Sequence, residues 1–186
     1  ILLSSLDETI IQHDEEFNFG VRMYPGGTYN PKGHKYLREF TAEPIPKITY
    51  RVGGVVLSKE LLFAENEGRI LIRYTLEDAH SQTTLRLKPY LAFRNVHQLT
   101  KANIDANTKY EPTSNGVSWQ MYHGYSRLYF QISKENEYIH IPDWYYNVEY
   151  IREKEAGLPS QEDLFAPGFF DLDIKNPNRA VEEAAH

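Results

Sequence analysis

Four of the runs of adjacent acidic residues in this sequence are the first candidates for chemistry. Acid–base hydrolysis by two carboxyl groups, as in glycosidases, needs them roughly 5 to 10 Å apart. The runs are Asp7-Glu8, Asp14-Glu15-Glu16, Glu77-Asp78 and Glu162-Asp163. Neighbours on a β-strand point to opposite faces, so adjacency alone does not create such a pair. With 26 acidic residues in the chain, we interpret the runs as solvated surface charge and predict no catalytic residue.

The other reactive residue types give no recognisable motif. The seven histidines do not form His-Glu-x-x-His or another metal-ligand spacing, and the chain has no cysteine. A Gly-x-Ser-x-Gly nucleophile motif is missing, and Gly26-Gly27 and Gly53-Gly54 lack the spacing of a nucleotide-binding loop. We therefore predict no metal site and no cofactor.

Two short segments place polar side chains where binding groups commonly collect. Arg94 and His97 lie three residues apart in the loop after a predicted strand, and loops at the ends of sandwiches often carry binding residues. The alternative for this pair is a salt bridge and a histidine that is satisfied locally. His34, which follows Gly33, is either a turn residue capping a strand or a donor to a sugar hydroxyl or a neighbouring domain.

Aromatic side chains form the third candidate group. Trp144-Tyr145-Tyr146 is one cluster, and Trp119, Tyr122 and Tyr125 form a second. Trp and Tyr rings can stack on the C–H face of a sugar, but alternating aromatics can also simply fill a sandwich core. Because Trp144 and Tyr145 must face opposite ways in a strand, we expect at least one of them outside the main core, in a glycan or interdomain contact.

Composition narrows the class of protein. The net charge of −6 and the scattered 20 basic residues argue against a nucleic-acid partner. No window approaches the eighteen apolar residues of a membrane-spanning helix, so no membrane partner is expected. The absence of cysteine fits a reducing cytosol, and we expect a cytoplasmic protein.

Alternation of apolar and polar residues dominates the chain and predicts the fold class. Residues 85–94 alternate as a half-buried strand in which Pro89 indicates a sheet edge or a bulge. Gly53-Gly54 predicts a tight hairpin, and residues 65–68 another turn. Short strands follow at roughly ten-residue intervals. The expected fold is all-β: one large antiparallel β-sandwich with little helix.

A few segments are less regular. Residues 144–151 fit a strand or a short helix, and we favour a strand; Ser160 begins a segment that favours one helical turn. Loops are predicted over residues 24–34 and 99–108, and a short helix over 180–186. The chain opens on an apolar segment that does not fit a signal peptide. We expect a single domain, 1–186, shortened at its N-terminus.

An ordered series of motifs runs along the chain. The series is Ser4-Ser5-Leu6-Asp7-Glu8-Thr9, Gly33-His34-Lys35-Tyr36-Leu37-Arg38-Glu39-Phe40, Pro44-Ile45-Pro46-Lys47-Ile48-Thr49-Tyr50, Leu57-Ser58-Lys59-Glu60, Ile72-Arg73-Tyr74, Leu87-Lys88-Pro89-Tyr90, Phe93-Arg94-Asn95-Val96-His97 and Glu162-Asp163-Leu164-Phe165-Ala166-Pro167-Gly168-Phe169-Phe170. This series resembles the N-terminal domain of bacterial and archaeal-type glycogen debranching enzymes, the amylo-alpha-1,6-glucosidase kind. The resemblance covers nearly the whole chain, and its specificity lies in the order of the motifs.

Two departures from the family pattern stand out. The family's opening segment, similar to Gly-Arg-Asn-Thr-Arg-Lys-Tyr-His-Gly, is missing. Where the family often has Glu-x-x-Arg-Gly, this chain has Glu153-Lys154-Glu155-Ala156-Gly157, so a role for that arginine does not carry over.

The resemblance implies a β-supersandwich, like glucoamylase N-terminal domains and mutarotases, ahead of an (α/α)6-barrel that carries the catalytic carboxylates. It implies a non-catalytic domain that packs on this barrel and helps to bind α-glucan (glycogen). The candidate sugar or interdomain contacts are His34, Tyr36, Arg38, Arg94, His97, Trp119, Trp144 and Tyr145. Two alternatives stay open: a self-sufficient, mutarotase-like enzyme and a purely structural spacer.

Overall fold

The structure is a computed structural model that describes residues 1–175. Within this range the chain forms fourteen β-strands, one 3₁₀-helix and one short α-helix. The strands are β1 Leu3–Gln12, β2 Glu15–Asn18, β3 Val21–Tyr24, β4 Thr28–Lys32, β5 Leu37–Thr41, β6 Lys47–Val52, β7 Val55–Ala64, β8 Arg69–Asp78, β9 Thr83–Leu91, β10 Tyr110–Thr113, β11 Gly116–Trp119, β12 Leu128–Gln131, β13 Glu137–Glu149 and β14 Gln161–Lys175. The 3₁₀-helix is Gly33–Tyr36, and the α-helix α1 is Ile151–Glu155.

The strands of this range form four sheets. The five-stranded sheet has the order β13-β14-β9-β1-β2, and the four-stranded sheet has the order β5-β6-β7-β8. A three-stranded sheet, β10-β11-β12, and the two-stranded β3-β4 hairpin complete the set. Every pairing between these strands is antiparallel. The prediction of an all-β antiparallel sandwich is confirmed.

The five-stranded sheet carries a hydrophobic cluster on each of its faces. One face shares the main core with the other two large sheets, through contacts among residues such as Leu87, Leu57 of the four-stranded sheet and Trp119 of the three-stranded sheet. The opposite face carries a smaller cluster around Tyr90 and Leu164, against which Tyr24 of the β3-β4 hairpin packs. Alternation along each strand, with a period of two, sends side chains to these two cores.

The hairpins of the four-stranded sheet follow the turn residues of the sequence. Val52 pairs directly with Val55 across Gly53-Gly54, whose φ angles of +52° and +83° suit glycine. Ala64 pairs with Arg69 across the predicted turn over residues 65–68. Both turn predictions are confirmed.

Pro89 lies in the interior of the five-stranded sheet, because β9 pairs with β1 on one side and with β14 on the other. The edge alternative is therefore wrong. A bulge does occur at this level of the sheet, but in the partner strand β14 and not in β9, for which it was predicted. Between the pairs Phe165–Leu91 and Phe170–Leu87, β14 has one residue more than β9. This bulge lies opposite the position at which proline lacks an N–H.

Other local predictions have mixed outcomes. Residues 144–149 form a strand as favoured, but β14 begins at Gln161, where a helical turn was expected. Strand pairing with β13 and β9 outweighs the local capping signal there. Residues 99–108 contain no strand or helix, whereas the predicted loop 24–34 contains β4. The predicted helix 180–186 lies outside the described residues. No helix of residues 1–175 is long and apolar enough to cross a membrane.

Candidate functional site

Four of the carboxylates that we predicted to lie on the surface are buried. The exposed fractions are 2% for Asp7, 3% for Glu8, 0% for Glu162 and 6% for Asp163. The prediction of solvated charge is wrong for these residues, while residues 14–16 and 77–78 are exposed as expected. A buried charge without partners is very costly, so the partners of each carboxylate decide what it can do.

Glu8 lies between the five-stranded and four-stranded sheets. Its Oε1 accepts hydrogen bonds from Lys59 Nζ and from the Tyr74 hydroxyl, both at 2.5 Å. Burial, followed by the charge of Glu8, raises the pKa of Tyr74 well above its usual value and that of Tyr50 to about 12. Glu8 therefore joins the two sheets through charge-assisted hydrogen bonds.

Asp7 points to the opposite face of the same sheet. Its Oδ1 accepts a 2.7 Å hydrogen bond from Arg22 Nη1. The guanidinium of Arg22 also lies 4.1 Å from the centre of the Tyr90 ring, a cation–π contact. Burial would lower the pKa of Arg22, but the hydrogen bond and the charge of Asp7 raise it. The pair fixes the β3-β4 hairpin on the sheet.

Glu162 fixes the loop that follows β9. Arg94 Nε lies 2.5 Å from Glu162 Oε2, and the Thr100 N–H donates to the same oxygen at 3.0 Å. The Tyr150 hydroxyl donates to Oε1 at 2.8 Å, and burial is the main reason that its pKa rises to about 12. Asp163 continues this role by accepting hydrogen bonds from the Ala102 and Asn147 N–H groups, each at 2.9 Å.

The predicted pair Arg94 and His97 is divided by this arrangement. The Arg94 side chain is only 10% exposed and is held by Glu162. His97 is exposed, and its backbone N–H donates to Asn95 Oδ1 at 3.0 Å. The Arg94 guanidinium thus serves the packing of the loop, and the His97 imidazole is the group that solvent or a partner can reach.

The segment 33–38 places its three predicted residues differently. His34 is exposed, with its ring centre 6.3 Å from that of Tyr29, and Arg38 is exposed on β5. Tyr36 is half-buried and packs edge-on against Phe17, with 6.1 Å between ring centres. His34 and Arg38 are therefore accessible to a ligand, while Tyr36 mainly supports the fold.

The predicted aromatic candidates lie in three environments. Trp119 is 0% exposed in the main core and offers no surface to a ligand. Trp144 is half-buried against Phe165, with 5.3 Å between ring centres. Tyr145 lies on the opposite face, next to Tyr90, and its hydroxyl accepts a hydrogen bond from Lys88. Trp144 packs on the main core and Tyr145 on the smaller cluster, so the expected division between two faces is confirmed.

One accessible surface was not singled out from the sequence. At the β7-β8 turn, the four-stranded sheet extends beyond its cover and exposes the inner-face residues Phe63 (70%) and Ile70 (51%). We call these two residues the apolar sheet end. Phe63 and Ile70 are direct cross-strand partners. The alternation of β8 predicted this face, but no sequence signal shows where the covering sheet stops.

We find no metal-binding or catalytic site among the described residues. In residues 1–175, no group of three or more His, Asp or Glu side chains could hold a metal ion. The buried carboxylates of Asp7, Glu8, Glu162 and Asp163 are engaged by the cations, tyrosines and backbone N–H groups described above. A fifth buried carboxylate, that of Glu149, lies 2.5 Å from Lys154 Nζ. The exposed groups that could contact a partner or a ligand are the apolar sheet end and polar residues such as His34, Arg38 and His97.

The comparison with protein families gives a match over almost the full length of the chain. The family model described as "Glycogen debranching enzyme N terminal" matches residues 1–181. No curated protein and no solved structure gives a significant match. The matched range covers nearly all of the 186 residues and agrees with the resemblance found in the ordered motifs. The chain belongs to the glycogen debranching enzyme N-terminal family.

Proposed function

We propose that residues 1–186 act as one non-catalytic domain of a cytoplasmic glycogen debranching enzyme. In this proposal the domain packs on a downstream (α/α)6-barrel, which hydrolyses α-1,6-glucosidic branch points, and helps to bind α-glucan. The observation that carries the proposal is the apolar sheet end, where Phe63 is 70% exposed. Contiguous exposed apolar groups of this kind mark interaction surfaces in soluble proteins.

The hairpin that carries this surface is apolar on both faces. Leu62 and Leu71, direct cross-strand partners on the outer face, are 48% and 46% exposed. A partner that covers the hairpin from both sides would remove all of this apolar surface from water, at about 25 cal/mol per Å². Membership of an N-terminal domain family supports the downstream part of the same polypeptide as this partner.

The arrangement of the carboxylates supports a domain without catalysis of its own. A general acid or nucleophile must reach the substrate, but Glu8 and Glu162 are buried and are held by hydrogen bonds and ion pairs inside the fold. Asp7 is likewise occupied by Arg22. An assay of the 186-residue chain on α-glucans and on aldoses tests this part of the proposal. Turnover by the chain alone would favour the self-sufficient, mutarotase-like alternative.

Packing is tested in the full-length protein by hydrogen exchange of residues 60–72. We expect slower exchange there than in the 186-residue chain, and loss of that protection in a Phe63→Ser/Ile70→Ser variant. Tyr129→Ser is a matched control, because Tyr129 is 61% exposed but lies on the three-stranded sheet. Equal exchange in both proteins would contradict packing through this surface.

Glucan binding is tested separately, by electrophoresis of the chain in gels that contain glycogen. We expect retarded migration, and the half-buried Trp144 is a suitable position to change to alanine. Trp119→Ala is unsuitable because Trp119 is 0% exposed and its loss would disturb the core. Unretarded migration would favour the spacer alternative for this part of the function.

A further inference from the structure

A cleft at one end of the sandwich suggests where a sugar could bind. We propose that this cleft holds one pyranose ring of an α-glucan, an inference that rests on the glucan-binding part of the proposed function. Three turns meet there: β1-β2 at residues 13–14, β6-β7 at residues 53–54 and β8-β9 at residues 79–82. The cleft has a volume of about 300 Å³ and is lined by Gln12, His13, Glu15, Phe17, His80 and Ser81, among others.

The size of the cleft favours a small ligand. A volume of about 300 Å³ is at the lower end of the range for ligand pockets, so a single ring fits better than a folded oligosaccharide. Because the cleft lies among exposed hairpin turns, the remainder of a glucan chain can continue into solvent.

Hydrogen bonds within the protein orient the polar side chains of the cleft without a ligand. Gln12 Nε2 donates to Ser81 Oγ at 3.1 Å and to Thr83 Oγ1 at 2.9 Å, and Thr83 Oγ1 donates to the Ser81 carbonyl oxygen. These bonds orient the Gln12 carboxamide and leave its Oε1 as an acceptor. The Ser81 hydroxyl accepts from Gln12, so its own proton can be donated to a ligand. Such preorganisation lowers the entropic cost of binding.

The β6-β7 turn beside Gln12 and His80 consists of two glycines without side chains. A Cβ atom on Gly54 would lie 3.2 Å from His80 Cδ2, and one on Gly53 would lie 3.7 Å from Gln12 Oε1. Any larger residue would therefore fill the space between the β6-β7 turn and the histidine. The backbone of this turn can approach a ligand closely.

The chemistry of the lining fits a neutral, hydroxyl-rich ring. Phe17 is half-buried and braced by Tyr36, which gives the cleft an apolar side for the C–H face of a sugar. His13, His80 and Glu15 offer both donors and acceptors for hydroxyl groups. The carboxylates of residues 14–16 disfavour a phosphate or another anion at this position.

The test is a titration of the isotope-labelled 186-residue chain with maltose, followed by NMR. We expect the largest amide shifts at Gly53, Gly54 and Ser81, and at least fivefold weaker binding in His80→Ala. The His80 side chain is 78% exposed, so this variant should fold normally. His97→Ala is the matched control, because His97 is also exposed but lies at the opposite end of β9.

The outcomes separate the cleft from the wider function. Shifts confined to other regions, or equal affinity of His80→Ala, Ser81→Ala and His97→Ala for maltose, would contradict the proposal that the cleft binds the sugar. Neither result would contradict glucan binding elsewhere on the domain. The proposal for the cleft would also fail if maltose at concentrations in the tens of millimolar caused no shift while glycogen still retarded the chain. If glycogen fails to retard it as well, the glucan part of the proposed function fails too, whereas packing on the barrel is tested elsewhere.

Discussion

The two ends of strand β7 carry similar residues in opposite environments. Leu57 and Phe63 lie on the same face of the strand, six positions apart, yet Leu57 is 1% exposed and Phe63 is 70% exposed. The five-stranded sheet covers the first end and leaves the second uncovered. An alternating strand pattern therefore predicts which face is apolar, whereas the extent of the neighbouring sheet decides whether that face becomes core or a surface for a partner.

Removing the cation that faces Glu8 should have the largest effect at the covered end. Lys59→Met keeps the length of the side chain but leaves the Glu8 carboxylate, 3% exposed, without its ion pair. We expect a loss of about 3–5 kcal/mol in the free energy of unfolding, measured by urea denaturation. A Lys59→Met/Glu8→Gln double variant should recover part of the loss, since no charge is then buried.

The ion pair between Glu60, which follows Lys59 on β7, and Arg73 of β8 provides the control. Glu60 and Arg73 form a hydrogen-bonded ion pair at 2.7 and 3.0 Å on the outer face, where the arginine is exposed. Arg73→Met should leave the unfolding midpoint nearly unchanged, because solvent screens such pairs. Similar losses in Lys59→Met and Arg73→Met would contradict the distinction between the two faces.

Truncation of Leu57 tests the apolar packing at the covered end. We expect Leu57→Ala to cost about 2–5 kcal/mol, since it leaves a cavity between the sheets. Leu62→Ala on the outer face should cost less, because Leu62 is 48% exposed. Thermal and urea unfolding of both variants measure the difference, and equal costs would show that the β7 ends are alike.

Alkaline pH should lower the stability of the domain through two tyrosines at the covered end of β7. Tyr50 and Tyr74 have native pKa values raised above the usual 10, so the folded state keeps protons that the unfolded state loses. Stability should therefore fall as pH rises above about 10, by at most ~1.4 kcal/mol per pH unit and group, and less for the partly exposed Tyr50. Urea unfolding from pH 8 to 11 measures this slope. Tyr74→Phe should flatten it.

Substitutions at the uncovered end of β7 should hardly change the free energy of unfolding of the 186-residue chain. Phe63→Ser changes a side chain that is 70% exposed, so we expect a change within about 0.5 kcal/mol. Urea unfolding of this variant is the measurement. A loss comparable to that of Leu57→Ala would mean that Phe63 is already packed in the domain, which would remove the basis for a docking surface.

The sequence predicted local features better than long-range ones. The hairpin at Gly53-Gly54 depends on two residues that tolerate positive φ, and so it is visible in the local sequence. The strand at Gln161 was missed because its pairing with β13 and β9 involves residues far away in the chain. Pro89 was compatible with either an edge or a bulge in its own strand, and only the position of β14 shows that β9 is an interior strand and that the bulge lies in its neighbour.

The buried carboxylates show the same limit for the candidate site. Nothing next to Glu8 in the sequence indicates that Lys59, 51 residues away, will neutralise it. Nor does the segment around Glu162 indicate that it will hold Arg94 and Thr100. Residue type alone favours solvent for an acidic side chain, so long-range ion pairs inside the fold were not predicted.

The strand order of the five-stranded sheet has a consequence for the timing of folding. Its central strand β9 lies between β1 and β14, and the bond from Arg86 to Asp171 spans 85 residues. The four-stranded sheet instead consists of consecutive hairpins between residues 37 and 78. Since local contacts form faster, we expect this sheet to form first, while the ribosome is still supplying β14. Pulse-labelling hydrogen exchange that protects β9 before β7 would contradict this order. Until β14 arrives, β9 would keep one edge open to misassembly.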